Sequence, residues 1–451
     1  MMREDDILLP ADEGELRDLL VAWFLRASTP GRAQLLGFEY ECLRLCRDDA
    51  GSAPSLGSDG PDKLVRALGE RFRKPGVEME VFEEAGNLTI LKLGPMNFSL
   101  EPGGQIEISF APYVDPLDVA AGIDQFVDTI VAELEGQPYA AAFLGHHPLT
   151  MPLDISVRAK PRYEVMNRRL AARGELGVHM MRATAGMQVT LDSRSEEDCI
   201  SLLRAALVSA PIVTAMYANS PLVGGKPSGY LSFREAVWWD TDPSRCGVPA
   251  ACLEDGADLG AYVDWALDAE PWFVRRDGDL REVTGVRRFR DMIGTEWQPT
   301  LDDFSLHSTT LFPSARLRGG VEVRSADCVS RELAKSFSAL MAGVAYDEVA
   351  RARASRLHGR RDSEGLRRLH LCAARDGLAG SCGDIVIREA AEELVDASRA
   401  GLTRQVDAGR FSADVLGLLD PLVAQIESGQ SPGQAILDRL DRGIPSAIGI
   451  A

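Results

Sequence analysis

The sequence predicts an α+β fold built on a mostly antiparallel β-sheet. Strand-like and helix-like segments are interleaved without the regular strand–helix alternation that marks a parallel sheet. Several strand-like segments alternate apolar and polar residues, as strands do when one face covers a core and the other does not. Neither common type of glycine-rich phosphate loop is present, so the usual sequence mark of a doubly wound nucleotide fold is missing.

Taken in order, residues 13–28 are expected to form a helix with Leu16, Leu19, Leu20, Trp23 and Phe24 on one stripe. A strand follows over 35–46, then a Gly/Ser/Pro/Asp-rich loop over 48–61 and a helix over 62–73. Strands alternate from 77 to 110, a helix covers 116–134, and a proline-containing loop covers 144–162. A helix over 163–172, a strand over 185–193 and a helix over 195–218 come next. A connection punctuated by Gly and Pro fills 219–248, a helix covers 259–267, and strands lie at 316–318 and 320–324. From about 330 onward nearly everything is helical, apart from a turn cluster at 377–383. The chain is therefore divided into a core over 1–330 and a helical part over 331–451 that packs on it without forming an independent domain.

The bulk numbers narrow the function. The 451 residues are 45% hydrophobic and 26% charged, the composition of a globular protein. A formal net charge of −19 argues against nucleic acid as an obligatory partner, although bound cations can still let an acidic protein take a nucleotide. Eight scattered cysteines, with Cys42 and Cys46 in a C-x₃-C spacing but no second pair, read as reduced, mostly buried thiols. The acidic start MMREDD lacks the features of a signal peptide, and no apolar run is expected to reach the roughly 18 residues that span a bilayer. A cytoplasmic protein with no membrane partner is expected.

Four separated strands share a feature that points to chemistry. Residues two apart on a strand face the same way. In GFEYEC, Glu39 and Glu41 share a face opposite Phe38, Tyr40 and Cys42. In GGQIEISF, Gln105, Glu107 and Ser109 lie opposite Ile106, Ile108 and Phe110. In GMQVTLD, Gln188, Thr190 and Asp192 lie opposite Met187, Val189 and Leu191, and in GVEVR Glu322 and Arg324 lie opposite Val321 and Val323. Each strand alone fits a half-buried strand showing water its polar side. Together the faces concentrate Glu and Gln and carry no Lys. Two carboxylates about 4 Å apart repel by roughly 4 kcal/mol at an effective dielectric near 20, a penalty that hard divalent cations remove. The segment Glu101-Pro-Gly-Gly-Gln-Ile-Glu adds a tight turn between acidic side chains, where Gly103 and Gly104 allow backbone angles or close approaches closed to other residues.

These residues sit in a longer resemblance. SLEPGGQIEIS (99–109), AKPRYEVM (159–166), HMMRATAGMQVTLD (179–192), ANSPLVGGKPSGYLSFREAVWWDTDPSR (218–245) and HSTTLFPSARLRGGVEVRSAD (307–327) resemble, in order, the blocks of glutamate–cysteine ligases of the plant and proteobacterial type. The resemblance spans about 37 to 327. It implies a glutamine-synthetase-like curved, mostly antiparallel sheet with one polar catalytic face, backed by helices. It also implies a reaction in which ATP phosphorylates the γ-carboxylate of L-glutamate and the amine of L-cysteine attacks the acyl phosphate, giving γ-glutamylcysteine, ADP and phosphate.

By the same resemblance, Glu39, Glu41, Glu101, Glu107, Gln188 and Glu322 are expected to hold two or more Mg²⁺ ions. Arg162 and Arg234 match arginines that hold the glutamate carboxylates, a task suited to a planar bidentate fork. Arg316, Arg318 and Arg324 are candidates for phosphate contact and stabilisation of the acyl phosphate. Tyr163, Trp238 and Trp272 are expected to line the pocket of the amine acceptor, with Gln105, Arg182 and Thr184 supporting the site. His146, His147 and His307 read as structural. Trp272, in DAEPWF, stands where a tyrosine is expected, AKPR replaces a PKGR-like string, and SFAPY replaces a more usual SGAP. These departures leave open a γ-glutamyl ligase that uses another amine in a specialised pathway. A non-catalytic homologue that binds Mg·ATP is the third reading. A monomer or a homodimer fits the sequence equally.

Overall fold

The computed structural model describes residues 7–28, 31, 33–47, 60–84, 86–359 and 361–450. Nearly all of the loop expected over 48–61 lies outside them. Among the described residues the central feature is a nine-stranded sheet. Its strands are β1 (Leu36–Cys46), β2 (Met79–Glu84), β3 (Asn87–Leu93), β4 (Met96–Leu100), β5 (Ile106–Ser109), β6 (Tyr139–Ala142), β7 (Gly186–Leu191), β8 (Ala315–Leu317) and β9 (Val321–Asp327). They run in the order β8–β9–β7–β1–β5–β4–β3–β2, with β6 on the far half of β1, and every pairing is antiparallel.

One face of this sheet is apolar because of the alternation in the sequence. Phe38, Tyr40 and Cys42 on β1, Ile106 and Ile108 on β5, Met187, Val189 and Leu191 on β7, and Val321 and Val323 on β9 are at most 1% exposed. Burying each large apolar side chain of this kind contributes about 1.5–3 kcal/mol, which fixes which face turns inward. Helices α3 (Pro116–Glu133), α6 (Glu196–Met216) and α10 (Arg331–Ala345) cover that face, and α12 (Ser363–Asp376) and α13 (Ile387–Asp407) pack on them as an outer layer. α6 lies against β9, α12 and α13, and α10 packs against α3, α13 and β7. One core cluster runs without a break from Leu9 to Ile450, so the helices after 330 share the core of the sheet.

α6 corrects one expectation. At 21 residues it is long and apolar enough to cross a bilayer by length and composition, yet 89% of its apolar window is buried inside the molecule. Its apolar character on all sides follows from packing between the sheet and the later helices.

Three short helices were not expected: α5 (Gly177–Ala183), α7 (Phe233–Thr241) and α9 (Leu301–Ser308). α7 emerges from a stretch whose Gly224, Gly225, Pro227 and Gly229 read as loop. Its start was nonetheless written in Ser232-x-x-Glu235, the order of a capping box, and the Ser232 hydroxyl accepts the Glu235 backbone N–H. The helix α4 (Pro161–Ala171) begins two residues earlier than expected, with Pro161 in its first turn, where a missing N–H costs nothing.

The turn between β4 and β5 uses both of its glycines. Gly104 has a φ of +83° and donates its N–H to the Glu101 carbonyl at 2.9 Å. Gly103 lies so close to the end of α5 that a Cβ there would sit 2.1 Å from the Arg182 carbonyl oxygen. Gly103→Ala is therefore expected to lower stability by about 1–3 kcal/mol, the usual cost of forcing an atom into packed surroundings. Thermal unfolding checks this, and an unchanged Tm would contradict the close approach.

Candidate active site

The polar face of the sheet becomes a site through register. Antiparallel pairing aligns Arg316, Glu322, Thr190 and Gly37 on one row across β8, β9, β7 and β1. The next row carries Gln188, Glu39, Ser109 and Asn97, and the one beyond it Glu41, Glu107 and Ser99. Side chains directly opposite on adjacent strands lie about 5 Å apart at Cβ, so groups far apart in sequence meet, Glu39 with Gln188 and Thr190 with Glu322.

These rows floor a cavity of about 660 Å³, within the range of small-molecule sites. Its lining carries charges of both signs, with Glu84 and Glu322 among the cations. Glu39, Glu41 and Glu107 come from β1 and β5, and Glu101 from the turn before β5. Facing them are Lys160 and Arg162 at the start of α4, Arg234 on α7, and Arg316, Arg318 and Arg324 on and beside β8 and β9. A third quarter is apolar, formed by Met166, Met180, Met181, Tyr163, Trp238 and Phe312.

The acidic wall is out of balance without a cation. Removal from bulk water raises the Glu107 carboxyl to about 8, and the charges of Glu101 and Glu41 add to the rise. Glu101 is lifted to about 7 by the same loss of water and by Glu41, with Lys160 pulling the other way. Glu39 is raised well above the ordinary range, first by burial and then by Glu107 and Glu322. The protein's own donors hold part of this wall. Glu41 accepts the Gly186 N–H at 2.7 Å and the Gln188 amide at 2.9 Å, and Glu107 accepts the Ser99 hydroxyl at 2.8 Å.

Among the described residues no three carboxylate, imidazole or thiolate groups already converge as a closed metal cage. The donor set nevertheless suits a hard cation. The cavity lining holds no Cys or His, its carboxylates are strained by mutual repulsion, and the buried Gln188 amide oxygen has no hydrogen-bond partner.

Glu322, expected among the metal ligands, lines the same cavity and is held there by cations. Arg316 holds it through two nitrogens, with Nη2 at 2.9 Å and Nε at 3.2 Å, and Arg324 binds the same carboxylate. Burial alone would raise this carboxyl, but Arg316, Arg324 and Arg318 outweigh it and bring it down to about 2. Glu322 therefore orders two arginines of the cationic wall. Arg318 stands exposed at the cavity mouth on the turn between β8 and β9.

Arg162 and Arg234 both line the cavity. Arg162 reaches the Thr309 carbonyl at 3.2 Å, and Arg234 is only 2% exposed, with its guanidinium 5.7 Å from the Trp238 ring centre. Gln105 donates to the Thr184 carbonyl at 2.8 Å, tying the β4–β5 turn to the end of α5. Arg182 does not reach the cavity: its guanidinium is spent on Asn167 and on the carbonyls of Pro152, Leu153 and Ile155. Asp192 also leaves the polar face, because its carboxylate accepts the Leu35 N–H. His307 is buried against Phe289 and binds the Ala266 carbonyl, a structural role.

Trp272 is the clearest correction. It is fully buried, lies outside the cavity lining, and is covered by the Arg245 guanidinium 3.7 Å from its ring centre. The segment that carries it enters a two-stranded hairpin, Phe273–Arg276 with Asp279–Glu282, and the indole packs in the apolar cluster that also holds Met166, Met180 and Met181, behind the cavity's apolar lining. Lys160 was missed although it lies two residues before Arg162 in AKPR. It is 8% exposed, donates to the Tyr163 hydroxyl at 3.2 Å and lies 4.7 Å from that ring's centre. The three methionines were missed because apolar residues on helices read as core.

A sequence model described as glutamate-cysteine ligase family 2 matches residues 35–447. Chloroplastic glutamate–cysteine ligase B of Oryza sativa subsp. japonica is 33% identical over 408 residues, which cover 89% of this chain and 78% of the rice protein. The chloroplastic enzyme of Medicago truncatula is 32% identical over 396 residues, covering 86% and 76%. In fold, the chain is similar to the crystal structure of a glutamate–cysteine ligase from Francisella tularensis in complex with AMP, with a TM-score of 0.57 at 13% identity, over 94% of this chain and 88% of that one.

The raised carboxyls set a pH dependence for the protein free of metal and substrate. Glu101 and Glu107 keep their protons up to about 7 and 8 when folded, against 4.5 for an ordinary glutamate. Between those values the folded state binds more protons than the unfolded chain, so their contribution to stability is lost as pH rises, by at most about 1.4 kcal/mol per pH unit for each proton. Glu107→Gln is expected to flatten the fall in Tm between pH 5 and 8. Parallel curves for the variant and the parent would contradict the acidic wall.

Proposed function

The chain belongs to glutamate-cysteine ligase family 2, and on that premise we propose that it joins the γ-carboxylate of L-glutamate to the amine of L-cysteine with ATP, giving γ-glutamylcysteine, ADP and phosphate. The observation that carries the proposal is a single cavity lined by a cluster of carboxylates, several guanidinium groups and a set of methionine and aromatic side chains.

Each wall meets a demand of the chemistry. A carboxylate is a poor electrophile, so one of its oxygens must first become a leaving group. In the proposed sequence Arg162 and Arg234 hold the glutamate carboxylates and fix the γ-carboxylate for attack on the terminal phosphorus of ATP. A carboxylate oxygen–phosphorus bond forms as the bond to ADP breaks. The amine nitrogen then attacks the acyl carbon, a proton leaves the nitrogen, and phosphate departs with the activated oxygen. Arg316 and Arg324, ordered by Glu322, and the exposed Arg318 face the charge that gathers during both steps. Magnesium ions held by Glu39, Glu41, Glu101, Glu107 and the Gln188 amide oxygen would offset the charge of the polyphosphate.

The acceptor is assigned to the quarter lined by Tyr163, Trp238 and the three methionines. Polarisable thioethers and ring faces suit a thiol side chain, and Lys160 offers a cation for its carboxylate. Trp272 was the residue that opened the choice of another amine. With its indole outside the cavity, cysteine stands as the acceptor of this proposal.

Purified protein supplied with Mg²⁺, ATP and glutamate is expected to release phosphate when cysteine is added, with a product of the mass of γ-glutamylcysteine. Turnover that needs glutamate but ignores cysteine across a panel of amines would contradict the choice of acceptor. Glu107→Gln is expected to lower turnover by about 100-fold or more while the circular dichroism spectrum stays unchanged. Near-normal turnover would remove Glu107 from the proposed cation set.

A further inference from the structure

Asp327 ends β9 and is only 1% exposed, yet it lies outside the cavity lining and no step above uses it. Its Oδ2 accepts the Asn219 N–H at 2.8 Å and the Ser220 hydroxyl at 2.6 Å, and its Oδ1 accepts the Ser232 hydroxyl at 2.9 Å. The two serines are bound in turn to the first residues of α7. Ser220 Oγ accepts the Arg234 N–H at 3.1 Å and Ser232 Oγ the Glu235 N–H at 3.2 Å. One carboxylate thus anchors the helix start that carries Arg234.

The same carboxylate faces the Arg234 side chain. Oδ1 is 3.9 Å from Nη1, within reach of a charge interaction but too far for a hydrogen bond. Nη2 donates to the Arg324 carbonyl at 3.1 Å, while the buried Nη1 has no hydrogen-bond partner. A guanidinium that is 2% exposed needs a counter-charge. A carboxylate in direct contact would supply it but would also consume the donor. Asp327 supplies the charge from 3.9 Å, with three of its roughly four lone-pair sites taken by Asn219, Ser220 and Ser232.

Two glycines make room for this pair. A Cβ at Gly145 would lie 2.4 Å from the Asp327 carboxyl carbon, and a Cβ at Gly186 would lie 2.5 Å from Arg234 Nη2. Gly186 also donates its N–H to Glu41 on the acidic wall, so the backbone that seats Arg234 is continuous with the opposite side of the site.

We propose that Asp327 is a positioning residue for glutamate recognition: it fixes the start of α7 and balances the Arg234 guanidinium from behind, holding Arg234 at the cavity for a substrate carboxylate. The proposal rests on the assignment of Arg234 to glutamate made above.

Steady-state kinetics on Asp327→Asn, Arg234→Lys and the double variant separate the two ideas. Asp327→Asn keeps the shape and removes the charge, and is expected to raise KM for glutamate about tenfold while KM for ATP stays within about twofold. Because Asp327 acts through Arg234, the double variant is expected to be no worse for glutamate than Arg234→Lys alone; independent roles would add. An unchanged glutamate KM in Asp327→Asn, an equal rise in both KM values, or additive effects would overturn the proposal. An unchanged glutamate KM in Arg234→Lys would overturn the assignment of Arg234 itself, and the proposal with it. Should Asp327→Asn fail to fold, Ser232→Ala removes the Oδ1 anchor and the Glu235 cap that goes with it, and leaves the Asp327 charge in place. A selective rise in glutamate KM then supports the proposal, and no change overturns it.

Discussion

The register of β1 between β5 and β7 is the constraint on which the rest depends. Pairing Glu41 with Glu107 on one side and Glu39 with Gln188 on the other gathers the acidic wall at the middle of the sheet. Pairing energy alone would not choose such a register, because like charges opposite one another repel. The other face chooses it. A slip of one residue would turn Phe38, Tyr40 and Cys42 toward the cavity and bury Glu39 and Glu41 in the core. The hydrophobic face thus holds the carboxylates where they disfavour one another, and the raised Glu101 and Glu107 carboxyls record that conflict.

A site under that tension needs positive charge, and the cationic wall meets the need in two ways. Arg316 and Arg324 are bound to Glu322, which leaves them ordered and partly balanced before any ligand arrives. Arg162, Arg234 and Lys160 come from helices laid across the open face and make fewer contacts with carboxylates. α7 links that wall to the C-terminal helices. Arg234 and Trp238, four residues apart, share its cavity side, while Glu235 accepts hydrogen bonds from Trp239 and from His370 of α12 on the other. The helices after 330 thereby support the site from behind α7, through His370 and through the Ala374 carbonyl that accepts the Leu231 and Ser232 N–H groups, although they carry none of the motif blocks.

Much of this was legible in the sequence because it depends on local pattern. Alternation on each strand gave the polar face, and the Glu101–Glu107 segment announced a turn whose glycines meet the Arg182 carbonyl and a φ of +83°. What failed depended on partners far away in sequence. Glu322 shares its alternation with the glutamates of the acidic wall, and only the pairing of β8 with β9 puts Arg316 directly opposite it. Trp272 belongs to a segment whose direction is set by a hairpin that follows it, so its neighbour is Arg245 and not substrate. Lys160, Met166 and Met180 carry no pattern of their own: a lone lysine resembles a surface residue and a methionine resembles core. Their places follow from α4 and α5 crossing the mouth of the sheet.

The division of the cavity into an anion-holding and a cation-holding wall is tested most directly by anomalous diffraction from crystals soaked with Mn²⁺, a non-hydrolysable ATP analogue and glutamate. Manganese peaks are expected among Glu39, Glu41, Glu101 and Glu107, with Glu322 still bound to Arg316 and Arg324. Peaks at Glu322, or carboxylates of Glu41 and Glu107 that remain on Gly186 and Ser99 with manganese elsewhere, would contradict it.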